Sequence, residues 1–97
     1  MQWNNNKTIK KRNEMKQYLK QQVEESLEEM VRHAFNNNPM KGTPFEGMII
    51  YSEIATTVRR AKDGLMADRA KIGLTEKEID ELVDEVATKI INKYLDV

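Results

Sequence analysis

Cysteine is absent from these 97 residues, which excludes a disulfide framework, a thiolate nucleophile and a cysteine-based zinc site. That absence suits a reducing compartment, so a cytoplasmic location is expected. Glycine (four residues) and proline (two) are scarce, so few positions can interrupt a helix, and those few mark boundaries. No apolar run follows the opening MQWNNNKTIKK, so a secretory signal is not expected. Apolar runs such as Met48-Ile49-Ile50-Tyr51 fall far short of the ~20 residues a membrane span requires, and no membrane association is expected.

Recognisable chemistry is missing too. The sequence holds no serine–histidine–acid arrangement, no phosphate-cradling glycine loop and no dinucleotide fingerprint. His33 is the one histidine. Glu29, four residues earlier, shares its helical face and gives two metal ligands at most. The Glu-x-x-His pattern of di-iron bundles fails because Met30 stands where the glutamate should be. Asp80, Glu81, Asp84 and Glu85 form an acidic run without the glycine-bearing loop of a calcium site. The reading is therefore no enzyme, no metal and no cofactor, with His33 at a solvent edge near a helix C-terminus.

Net charge is zero, 16 basic groups against 16 acids, but the charges are blocked along the chain. Residues 1–20 carry six basic groups against Glu14; residues 21–30 carry four glutamates and no base. Residues 31–72 hold seven bases and four acids, and residues 73–97 three bases and seven acids. Such blocks set how segments or subunits align, even where the overall field vanishes.

What is present is helical periodicity, and the fold class expected is all-α: three helices near 8–35, 44–72 and 76–95, within a single domain over 8–97. Residues 1–7 are polar apart from Trp3 and are expected to form a flexible tail, with Trp3 either an anchor or idle. In the first helix Met15, Leu19, Val23, Leu27, Met30, Val31 and Ala34 form one stripe, with Tyr18 at its margin. Its basic start runs against the helix dipole, which points to an acidic partner. The acids opening the third helix (Glu76, Glu78, Asp80, Glu81) are the candidate, within the chain or between subunits.

Asn36 to Gly42 is a clear break, since Asn38 precedes Pro39 and asparagine and glycine tolerate turns. Thr43-Pro44-Phe45-Glu46 then reads as a capping box, with proline at the first helical position. The stripe expected for the second helix is Met48, Tyr51, Ile54 or Ala55, Val58, Ala61, Leu65 and Ile72, with a bend or break at Gly64. Met48–Tyr51 also suits a short strand, but the chain holds no second strand to pair with it. Tyr51–Ala55 resembles the first helix of a helix-turn-helix unit. That unit turns within a few residues, whereas Thr56–Arg60 continues the helix. Gly73 ends the second helix, and Thr75-Glu76-Lys77-Glu78 is a second capping box. The third helix carries Ile79, Leu82, Val83, Val86, Ala87, Ile90, Ile91 and Tyr94 as its stripe, with acids early and lysines late.

Two helices of about 40 Å with long stripes are hard to cover within one small chain. A homo-oligomer is expected, a two-fold dimer first, with helix one or helix two in the interface. The function expected is a non-catalytic protein-interaction or regulatory module presenting a rigid helical surface to another protein. Two alternatives stand beside it. The first is nucleic-acid binding through Lys7, Lys10, Lys11, Arg12 and Lys16, with Arg59, Arg60, Lys62 and Arg69 as a second basic set. The second is sequestration of an anionic small ligand between subunits by the same central groups.

Overall fold

The computed structural model describes residues 2–95, with side chains described from Ile9 onward. Among the described residues the chain is all-α: α1 (Gln2–Asn37), α2 (Glu46–Ala67), a single turn α3 (Arg69–Ile72) and α4 (Glu76–Leu95). No strand occurs among them, and Met48–Tyr51 lies within α2. The first helix starts at Gln2, six residues ahead of the expected Thr8, so the polar segment 2–7 is helical.

Each long helix packs on the other two. The direction of α4 against α1 follows from their ion pairs. Arg12 meets Glu78, Lys20 meets Glu85, Glu24 meets Lys89 and Glu28 meets Lys93, so residue numbers rise together and the helices run parallel. Helix α2 returns antiparallel to both, making an up-down-up bundle. Inside lie Leu19, Val23, Leu27 and Val31 from α1, Ile50 and Ile54 from α2, and Ile79, Leu82, Val83, Val86 and Ile90 from α4. The stripes of α1 and α4 are those the periodicity identifies.

The entry to α2 differs from the expected capping box. Thr43 spends its hydroxyl elsewhere: it donates to the Met40 carbonyl (2.6 Å) and accepts from the Phe45 amide (3.3 Å). Glu46 reaches back to the amide of Gly42 (3.2 Å) rather than Thr43. The helix therefore starts two residues later, at Glu46, with Phe45 at the cap position and Pro44 ahead of it. Asn38 holds this loop from inside: buried, it accepts from the Met40 amide (2.9 Å) and donates to the Glu46 carbonyl (3.2 Å). Both hydrogen bonds matter because a buried amide side chain without partners is costly.

The first turns of α2 depart from the expected stripe, whereas its later members Val58, Ala61, Leu65 and Ile72 pack against the core as expected. Ile50 and Ile54 are 0% and 1% exposed, whereas Met48 and Tyr51 are 69% and 55% exposed. Two apolar lines run along this helix about a third of a turn apart. The bundle buries Ile50 and Ile54, and Val58, Ala61 and Leu65 continue the same packed face along the helix. Helix α2 runs unbroken past Gly64 and stops instead at Asp68. One turn later Gly73 adopts a left-handed conformation (φ 79°, ψ 22°) and its amide donates to the Arg69 carbonyl (2.8 Å). That conformation suits glycine, which lacks the Cβ penalty, and it lets Leu74 drop into the core. The second capping box forms as read: Glu78 accepts from the Thr75 amide (3.0 Å) and Thr75 from the Glu78 amide (3.2 Å).

Two substitutions check these local assignments by urea unfolding. Thr75→Ala removes half of a reciprocal cap and is expected to cost about 1 kcal/mol. Gly64→Ala is expected to stabilise by about 0.5–1 kcal/mol, because Gly64 sits in a helix interior and an added Cβ meets no heavy atom within 4 Å. A loss of stability in Gly64→Ala would show that the helix is bent there.

Candidate functional site

The basic residues read as an anion-binding set do not converge. The side chain of Lys7, like that of Trp3, lies outside the described side chains. Lys10 and Lys11 are exposed near the start of α1. Arg12 donates to the Gly73 carbonyl (3.0 Å) and pairs with Glu78, which Lys16 also contacts at 2.7 Å. Lys62 bonds Asp84 (2.8 Å) and lies 3.8 Å from Asp80, and Arg69 pairs with Glu76. Arg59 and Arg60 are exposed on α2, and no acid pairs with either among the described residues. Four of the nine candidates are thus held in ion pairs within the bundle.

The charge blocks meet inside the chain. Beyond the Arg12 and Lys16 pairs to Glu78, three further contacts tie α1 to α4: Lys20–Glu85 (2.6 Å), Glu24–Lys89 (2.6 Å) and Glu28–Lys93 (2.8 Å). The acidic partner that the basic start of α1 calls for is therefore the start of α4. Glu78 is the centre of this ladder. Lys16, the Thr75 amide and Arg12 hydrogen-bond to its carboxylate and hold its pKa at about 2, against a usual 4.5. At the far end, Glu28 is also lowered, chiefly by the hydrogen bond from Lys93, whose own pKa is raised by the same bond. The Tyr94 hydroxyl donates to the other Glu28 oxygen (3.2 Å), and its ring lies 6.0 Å from that of Phe35.

His33 is exposed at the end of α1. The Asn37 side-chain amide lies 3.3 Å from the His33 Nδ1 and donates to the His33 backbone carbonyl (3.0 Å). It edges a cleft of about 270 Å³ floored by Met30, Ala34 and Ile49, with Glu53 on the rim. Among the described residues no group of three or more histidines and acids is placed to hold a metal, and no helix is long and apolar enough to cross a membrane.

The feature that sequence reasoning missed is apolar. Phe45 (56% exposed), Met48 and Tyr51 stand in solvent on successive turns at the start of α2. Tyr51 continues into a groove of about 300 Å³ between α2 and α4, lined by Ile54, Ala55 and Val58 on one side and Ala87, Thr88 and Ile91 on the other. Its one charged lining residue is Asp84, an acid, which does not suit an anionic ligand. The signal was present in the spacing, since Met48 and Ile50 cannot both face the same neighbour. Comparison with family models, with curated proteins and with solved structures gives no match.

The ladder makes stability depend on pH through Glu78. Because its folded pKa lies below the unfolded one, the carboxylate stabilises the fold fully above about pH 4.5. That contribution is lost as pH falls from there towards about 2. Thermal melts at low ionic strength should show the Tm of the unaltered chain falling more steeply across this window than that of Glu78→Gln. Parallel curves would mean that the ladder adds nothing.

Proposed function

We propose that this protein is a non-catalytic helical interaction module of regulatory type, working through the outward face of α2 and its groove with α4. One observation carries the reading: Phe45, Met48 and Tyr51 are exposed in sequence order along one helix and run into an apolar groove. Single exposed apolar residues are ordinary on any surface, whereas a contiguous apolar strip with a groove marks an interaction site. Aromatic and methionine side chains are also those enriched at the centres of interfaces. The strip is backed by a buried core and by the Lys62 ion pairs to Asp80 and Asp84 of α4, so the surface is preorganised for docking.

A photo-crosslinking residue in place of Met48, in the chain expressed in its own host, is expected to give discrete covalent adducts. The same residue in place of Glu25, exposed on α1 across the bundle from the groove, should give none. Tyr51→Glu is expected to suppress the adducts about tenfold without lowering helicity. Equal labelling from both positions would overturn the reading.

A second reading has its own observation. Helix α4 first meets α1 near Arg12, so residues 2–11 project about 15 Å beyond it and expose Lys10 and Lys11. A projecting basic helix end suits nucleic-acid phosphates. DNA affinity that falls steeply with salt, with a shallower slope in Lys10→Glu/Lys11→Glu, would support this reading. Absent or salt-independent binding would remove it.

A further inference from the structure

Which partner fits the face of α2 can be read from the face itself. Along its outer line, Met48, Tyr51, Ala55, Arg59 and Lys62 recur at intervals of three and four residues, the spacing of a helix–helix seam. The two ends of this line differ. The first offers a thioether and an aromatic ring in solvent; the second offers two cations. The two cations stand in different states: Lys62 is neutralised by Asp84 and Asp80, whereas Arg59 is exposed and has no acid in ion-pair range among the described residues. Between the two ends sits Ala55, exposed and the smallest side chain of the line.

We infer that the occupant is a second copy of this chain, packed antiparallel on α2 about a two-fold axis beside Ala55, with Arg59 of each copy over Tyr51 of the other. This rests on the reading of α2 as the working surface. A two-fold axis sets a residue against its own copy, so the residue there must be small and uncharged, as Ala55 is. Residues equally far from Ala55 then face each other: Tyr51 and Arg59 are each four positions away, Met48 and Lys62 each seven. The cationic end of one copy thus covers the apolar end of the other. A guanidinium over a tyrosine ring is a favourable contact that strengthens as water leaves. The aliphatic stem of Lys62 can cover Met48 while its charged head keeps its carboxylates. Parallel pairing would instead set Arg59 on Arg59.

The absence of cysteine makes the test direct, because one introduced thiol reports one position. Under mild oxidation at micromolar concentration, Ala55→Cys is expected to form a disulfide-linked dimer at least about tenfold faster than Glu25→Cys. Sedimentation of the unaltered chain should give twice the chain mass, and Arg59→Glu should weaken the dimer about tenfold with helicity unchanged. Tyr51→Lys combined with Arg59→Glu should restore it by replacing the cation–ring contact with an ion pair. A monomer at all concentrations, with both thiol variants oxidising at the same slow rate, would overturn the inference. In that case adducts to a different protein from position 48 would leave the docking reading standing, and their absence would remove both.

Discussion

The bundle depends on one packing event, the burial of the α4 stripe between two helices that cannot cover themselves. Ile79, Val83 and Ile90 of α4 are completely enclosed, as are Leu27 and Val31 of α1 and Ile50 of α2. Fully burying an aliphatic side chain of this size is worth roughly 1.5–3 kcal/mol relative to leaving it exposed. An exposed ion pair is worth about 0–1 kcal/mol. The core therefore supplies the stability, and it does so only when all three long helices are in place, since each contributes one wall.

The ion pairs do a different task. Five of them, among the described residues, join α1 to α4 in rising order. Apolar side chains are tolerant of sliding, whereas these charges come in blocks, bases then acids along α1 facing acids then lysines along α4. Antiparallel pairing would oppose like charges throughout, and a one-turn slide would do so at the block boundary, Lys20 on Lys89 or Glu24 on Glu85. The ladder thus fixes the parallel register of two helices that are distant in sequence. Because α1 starts at Gln2, Arg12, Lys16 and Lys20 lie well past its first turn and outside the reach of its dipole, and the acids in the first half of α4 face them. Arg12 adds a further tie by closing on the Gly73 carbonyl at the turn into α4.

How far the surface could be read varied with the residue. The faces of α1 and α4 were legible because each carries a single unbroken apolar line. Helix α2 carries two. Over its first turns Met48 and Tyr51 make one acceptable line and Ile50 and Ile54 another, and both lead into the packed Val58, Ala61 and Leu65, so spacing alone leaves the choice open there. The entry loop made the same point on a smaller scale. Thr43 and Glu46 stand at capping-box spacing, but the loop held by Asn38 gave the Thr43 hydroxyl other partners, and the helix began two residues later. The basic candidates were visible as residue types. Their availability was not, because Arg12, Lys16, Lys62 and Arg69 face acids up to 66 positions away in the chain, and only folding sets that distance.

The sequence by itself determined that the chain is all-α, where its main break falls and which faces of α1 and α4 are buried. It also carried the left-handed stop at Gly73 and the cap at Thr75. These follow from local causes: 3.6-residue periodicity, the restriction that Pro39 places on Asn38, the freedom of glycine, and side chains reaching amides three residues away. Tertiary structure decided which line the first turns of α2 bury, the continuity through Gly64, and which charges are spent in the α1–α4 ladder. Each of those depends on what stands opposite. Burial of Ile50 and Ile54 in those first turns leaves Met48 and Tyr51 in solvent beside the exposed cap residue Phe45, and with them the surface through which the protein is proposed to act.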